Sequence, residues 1–273
     1  MKSDQENPAA SPRGISGDFI AWPGGAIFVG EGSSQIAPHA HYSIQCVFGL
    51  PDGLRLSVGR KSEWFDAPGA LIPSRAIHTI DTSRCTWGAV MFIEPETVEG
   101  SAISRRLQRS HEVLAAEEVA RFAARLEQAW RGERSREAVS IVCQQWVRAL
   151  AGTDKPAAPD ARVLAAIERI SMRAGSEPTL ESLAGNAHLS PSRFRHLFVD
   201  AVGMPLRTYL LWRRLLRAWE QQMQGDSITE AAHAAGFADA AHLSRTSRVM
   251  FGLPPSAVMM NGPISQGRSP THR

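Results

Sequence analysis

The chain has 273 residues, 43% of them hydrophobic and 21% charged, and a net charge of +3. That length suffices for about two domains, each with its own core, and the ordinary apolar content excludes a disordered or fibrous chain. No apolar run reaches membrane-spanning length, and the start Met1-Lys-Ser-Asp-Gln-Glu-Asn-Pro has no apolar stretch to act as a signal peptide. A cytoplasmic protein with no membrane partner is therefore expected. Cys46, Cys85 and Cys143 lie far apart without a CxxC pattern, as buried free thiols do. Charge is uneven: from Asp160 onward there are 13 Arg, no Lys and nine acidic residues, a balance of +4, so the front part is close to neutral.

Residues 1–14 are polar, with Ser and Pro, and read as disordered. From Asp18 to Glu96 short apolar runs alternate with turn residues. Examples are Ala26-Ile-Phe-Val-Gly, Ser43-Ile-Gln-Cys-Val-Phe-Gly and Trp87-Gly-Ala-Val-Met-Phe-Ile, with Pro51-Asp-Gly53 and Pro68-Gly69 marking turns. This spacing predicts a small antiparallel β-barrel. Two amphipathic helices follow, over Val113–Arg131 and Arg136–Leu150. They would pack on the barrel or join two chains as a homodimer. Ala151 to Asp160 is rich in Ala and Pro and reads as a linker. The domain plan is thus 15–150 in front, 151–160 as linker, 161–260 as an all-α rear domain, and 261–273 as a flexible tail. The fold class is α+β.

Two helix-turn-helix units stand in tandem in the rear part, joined by one long basic helix. In the first, Thr179 is placed to cap a helix carrying Leu183 and Ala184. Ser190 caps the next, with Pro191 at its first position, where a missing N–H costs nothing. In the second, Gly236 and Phe237 make the turn and Asp239 caps the following helix. Phe194, Leu197 and Phe198 on one reader helix and Leu243 and Phe251 on the other face inward. Ser192, Arg193, Arg195 and His196, and likewise Ala240, Ala241, His242, Ser244 and Arg245, are left for base edges in the major groove. Arg213, Arg214 and Arg217 on the connecting helix, with Arg248, are expected to hold phosphates of double-stranded DNA.

These residues carry a resemblance. Leu183-Ala184, Ser190-Pro-Ser-Arg-Phe-Arg-His-Leu-Phe198, Gly203-Met-Pro205, Tyr209, Arg213-Arg-Leu215, Gly236-Phe237, Leu243-Ser-Arg245 and Phe251-Gly-Leu-Pro-Pro255 are similar to the DNA-binding domain of AraC/XylS transcriptional regulators. The resemblance implies sequence-specific DNA binding, RNA polymerase as a downstream partner and no enzymatic activity. One departure stands out: Ser247 occupies a place usually aromatic, which should thin the core under the second reader helix.

In front, Pro38-His39-Ala-His41-Tyr-Ser-Ile-Gln45 and Pro73-Ser-Arg-Ala-Ile-His78 resemble the two half-motifs of a cupin-like barrel, a domain that such regulators often carry. Enzymatic cupins place an acid where this chain has Gln45. A neutral amide compensates a divalent ion poorly, so His39, His41, Gln45 and His78 are read as a hydrogen-bonded lining of a pocket for an unknown small-molecule effector. A metal on His39, His41 and His78 is the lesser reading, and no cofactor is expected. A cupin metalloenzyme fused to a DNA reader is the competing class, and Gln45 argues against it. A ligand-blind architectural binder would leave the barrel without a purpose.

Overall fold

The computed structural model describes residues 14–60, 62–108, 110–153, 159–172 and 177–261. Most of the expected disordered start, half of the expected linker and nearly all of the expected tail lie outside these residues. The front part contains β1 (Ile15–Trp22), β2 (Gly25–Glu31), β3 (Gln35–His39), β4 (Ile44–Pro51), β5 (Leu54–Val58), β6 (Phe65–Ala67), β7 (Gly69–Ile72), β8 (His78–Asp81) and β9 (Cys85–Ile93). Then come α1 (Val98–Leu107), β10 (Glu112–Val113), α2 (Ala116–Glu127), continued by a π-helical turn at Gln128–Gly132, and α3 (Arg136–Ala151). The rear part contains α4 (Ala161–Met172), α5 (Leu180–Asn186), α6 (Pro191–Val202), α7 (Leu206–Met223), α8 (Ile228–Ala235), α9 (Ala240–Phe251) and β11 (Val258–Met260).

The strands form two sheets, of order β10-β7-β4-β9-β2-β1-β11 and β3-β8-β5-β6. The class is α+β, as read from the sequence. β4 is paired on both sides, with Gln45 opposite Ile72 on β7 and Phe92 on β9. That central place explains its unbroken buried run, Ile44 to Gly49. Between the sheets Val47, Leu54, Leu56, Ile72 and Ile80 form a core. On the far side of the large sheet, α1, α2 and α3 cover Ile27, Cys46 and Met91 with Ile103, Phe122, Leu126, Val139 and Cys143.

The structure corrects the helix reading in two places. α1 was not foreseen; Thr97 caps it, accepting from Gly100 N at 2.9 Å. The next helix begins at Ala116 rather than Val113, because Glu112 and Val113 pair with Leu71 and Ala70 as an edge strand. The apolar face of α2 and α3 lies on the barrel. Trp146 stacks on Phe122 at 4.8 Å, so packing accounts for the face that also read as a dimer surface.

The two parts are not separate bodies joined by a tether. β11, from the end of the rear part, pairs in parallel with β1, aligning Val258 with Ile15 and Met260 with Gly17. One continuous core holds Phe19, Ala26, Tyr42 and Phe92 of the barrel together with Tyr209, Trp212, Trp219 and Phe251 of the rear helices.

Candidate nucleic-acid interface and its contact with the barrel

Unit one is α5–α6. Thr179 Oγ1 accepts from Ser182 N at 3.1 Å, and Ser190 Oγ accepts from Arg193 N at 3.3 Å with Pro191 opening the helix. These caps satisfy backbone N–H groups that a helix start leaves orphaned. Phe194 and Phe198 are fully buried, while Ser192, Arg193, Arg195 and His196 are exposed. Unit two is α8–α9. A capping box joins Ser227 and Glu230, Gly236 turns the chain at φ +86°, and Asp239 Oδ1 accepts from His242 N at 2.6 Å. Ala241, Arg245 and Arg248 are exposed; Ala240, His242 and Ser244 are half-buried, and the His242 ring meets Phe237 edge-on at 5.2 Å. α7, 18 residues long, separates the units by about 27 Å of helix.

Ser247 does not simply leave a gap. It is fully buried, and its hydroxyl donates to the Leu253 carbonyl at 2.7 Å, tying the end of α9 to the following loop.

The arginines of α7 depart from expectation. Arg213 bonds Glu94 of the barrel, in a pair whose side chains are 19% and 6% exposed. It faces the barrel, so the phosphate reading does not fit it. Arg214 makes a two-armed pair with Glu177, with Nε 3.0 Å from Oε1, and Arg217 lies 4.0 Å from the same carboxylate. A phosphate would have to displace Glu177 at both. The periodicity of α7 showed one basic flank but could not show which acids stand opposite it.

Aromatic rings carry the rest of the contact between reader module and barrel. Phe92 packs on Trp212 at 5.8 Å and on Phe251 at 4.9 Å; Tyr42 meets Tyr209 at 5.6 Å and Phe19 meets Trp219 at 5.9 Å. Arg75 donates to the Gly203 carbonyl at 2.5 Å. Buried beside these rings, Tyr42 donates its hydroxyl to Glu96 Oε2 at 2.6 Å. Burial raises the Glu96 pKa to about 7, helped by the neighbouring charge of Glu94. Burial also raises Glu94, against the pull of Arg213.

The histidine cluster sits where β3, β4 and β8 meet. His39, His41 and His78 are buried, with one ligand-capable atom from each lying within 4.8 Å of the others. Each Nδ1 faces a backbone carbonyl: Ala37 at 2.8 Å, Ser43 at 3.0 Å and Ala76 at 2.8 Å. Ser43 Oγ also lies 3.0 Å from His41 Nδ1. Burial lowers all three pKa values, His41 to about 3, so the rings are neutral at pH 7. A neutral ring that donates from Nδ1 carries a lone pair at Nε2.

Gln45 Oε1 stands 2.6 Å from His41 Nε2 and 3.0 Å from His78 Nε2, and its Nε2 has no partner. Two ring lone pairs facing an amide oxygen repel. Turning the amide by half a turn, which leaves its shape unchanged, offers one N–H to each ring. The cluster is thereby satisfied without an ion, and it lacks the carboxylate that would compensate a dication. The amide oxygen is then the buried atom left without a partner.

Beside this cluster lies a cavity of about 110 Å³. Phe28, Val90 and Ile80 of the barrel and Trp219, Phe251 and Val258 of the rear part form its walls, and His39 and Gln45 border it. His41 and His78 stand behind Gln45 rather than on the wall. The sequence motifs pointed to the histidines but not to Trp219, Phe251 or Val258. Those three belong to the reader module, which no barrel motif could implicate.

Comparison with known proteins agrees with this geometry. A family described as a helix-turn-helix domain matches residues 183–261. ToxT from Vibrio cholerae O395 superposes with a TM-score of 0.52 at 11% identity, over 85% of this chain and 95% of that one. ToxT from strain SCE256 of the same species, with unsaturated fatty acid bound, gives 0.50 at 10% identity over 93% and 96%. At such identities the likeness is one of fold.

A helix-turn-helix domain with two capped, arginine-bearing reader helices, behind a β-rich domain, defines a DNA-binding transcription regulator. Residues 183–261 of its C-terminal region are a helix-turn-helix domain, in the part of the chain that resembles AraC/XylS regulators in sequence.

Proposed function

We propose that the barrel binds a small-molecule effector in the shared cavity, and that occupancy changes how the two reader helices meet DNA. The observation that carries this is the composition of the wall. Trp219 and Phe251 belong to α7 and α9 of the reader module, and Val258 to the strand that follows them, whereas Phe28 and Val90 belong to the barrel. A ligand touching both sets has differential contacts with any two arrangements of the domains, which is what a shift in population requires. A relative of the same fold that holds an unsaturated fatty acid supports an apolar effector.

In this reading Ser192, Arg193, Arg195, His196, Ala240, Ala241, His242, Ser244 and Arg245 meet bases, and Arg248 meets phosphate. RNA polymerase is the downstream partner. Among the described residues no helix is long and apolar enough to cross a membrane.

The test is a cavity-filling substitution, Val90→Phe, in the full chain. DNA sites are first found by genome-wide mapping of the bound protein. The variant is expected to change affinity for those sites at least threefold while staying folded. Unchanged affinity, with the side chain shown to occupy the cavity, would contradict the coupling.

A further inference from the structure

Resting on that effector reading, we propose that the cavity takes a neutral, apolar molecule carrying one hydroxyl group, whose O–H donates to the side-chain amide oxygen of Gln45.

Charge is settled by the wall. Among the described residues that line the cavity none is Lys or Arg. The one carboxylate there, Glu31, is paired with Arg131 at 2.5 Å. A carboxylate or phosphate on the ligand would be buried against aromatic rings with no counter-charge, and an ion in that position is expelled. The neutral alternative is apolar, because the wall is mostly apolar, with Phe19, Phe28, Val90, Phe92, Trp219 and Phe251 in it. The size is modest: about 110 Å³ is of the order of the apolar cavity, about 150 Å³, that holds benzene in an engineered protein.

Polarity is settled by the histidines. His78 Nδ1 donates to the Ala76 carbonyl, and His41 Nδ1 faces the Ser43 carbonyl. The His78 Nε2 therefore accepts, which turns an N–H of Gln45 to it, and the same orientation offers the second N–H to His41 Nε2 when His41 Nδ1 donates to the Ser43 carbonyl. With the amide so turned, its oxygen takes the place of the one Gln45 atom without a partner, in a side chain that is 1% exposed and borders the cavity. His39, whose Nδ1 donates to the Ala37 carbonyl, presents a second acceptor. Two acceptors, with the unpartnered indole N–H of the wall residue Trp219, select a ligand group that donates and can also accept, as a hydroxyl does, since a buried polar atom without a partner costs more than a hydrogen bond yields.

The experiment titrates the full-length protein with three molecules of one shape: 4-ethylphenol, ethylbenzene and 4-ethylbenzoate. Binding is read by calorimetry and by tryptophan fluorescence. The hydroxylated probe is expected to bind about tenfold more tightly than ethylbenzene, and the carboxylate to bind more weakly than either. Gln45→Leu, checked for an unchanged unfolding midpoint, should abolish the advantage of the hydroxyl and leave ethylbenzene binding intact; should that variant not fold, Gln45→Met serves.

Equal binding of the first two probes by the wild type, or tightest binding of the carboxylate, would overturn the proposal. So would one bound metal ion per chain by elemental analysis, because an ion on the histidines would turn the amide oxygen away from the cavity. No binding of any probe would overturn it too, and retained DNA binding with an effect of Val90→Phe would show that the broader reading survives.

Discussion

Trp212 of α7 lies over His41 of the barrel, ring centroids 5.9 Å apart and planes 25° from parallel. The relationship ties the helix that spaces the two readers to the cluster that borders the cavity. His41 is in turn hydrogen-bonded to Gln45. Ligand contact at Gln45 is thus two side chains away from α7, through packed and hydrogen-bonded groups.

The exposed reader arginines should carry sequence preference. Arg195→Ala or Arg245→Ala is expected to cost about 1–3 kcal/mol at a bound site and to relax preference at one base position. Binding measured on a panel of single-base variants checks this. A uniform loss over the panel would instead make them phosphate contacts.

Arg213→Ala is expected to act on stability and domain contact, not on phosphate. It leaves Glu94 buried without its partner, a change that typically costs about 3–5 kcal/mol. Urea unfolding should show the loss, and Glu94→Gln in the same chain should recover a large part of it. A variant of normal stability whose DNA affinity has a shallower salt dependence would restore the phosphate reading.

Gly252 ends α9 at φ +74°, and a Cβ there would stand 2.6 Å from the Ala37 carbonyl and 2.7 Å from His39 Nδ1. Both the backbone angle and the space exclude a side chain. Gly252→Ala should destabilise the full chain by about 1–3 kcal/mol. It should also loosen α9 from β3, read as faster hydrogen exchange in Ile36 to His39. Unchanged exchange and stability would contradict the close docking of these elements.

The pH dependence of the domain contact is set in part by Glu96. Its folded pKa is raised from 4.5 to about 7, first by burial and then by Glu94. The folded state therefore binds the proton more tightly than the unfolded chain. The group's contribution is fully present below pH 4.5 and is lost as pH rises through about 7. Glu96→Gln, which can still accept from Tyr42, should gain stability relative to wild type between pH 5 and pH 8. Denaturant midpoints at the two pH values check the sign; a constant difference would mean that Glu96 is ionised at both.

Much of this was legible in the chain. The caps Thr179, Ser190 and Asp239, the buried Phe194 and Phe198, and the exposed Arg195 and Arg245 follow from local rules, because helix starts and apolar periodicity depend on near neighbours. The pairing of Arg213 with Glu94, the parallel strand at Val258 and the cavity wall at Trp219 join residues more than a hundred positions apart. No periodicity records which distant element covers a face. Ser247 lay between these cases: the missing ring was visible, but the Leu253 carbonyl that takes its hydroxyl was not.

Genome-wide mapping of the protein bound to DNA, for wild type and for the Arg195→Ala/Arg245→Ala double variant, separates a sequence reader from a non-specific binder. Discrete wild-type peaks sharing a motif with two major-groove segments about one helical turn apart are expected, as is their loss in a variant that is folded and equally abundant. Wild-type occupancy without a shared motif, or peaks unchanged in the double variant, would contradict a regulator that reads DNA through α6 and α9.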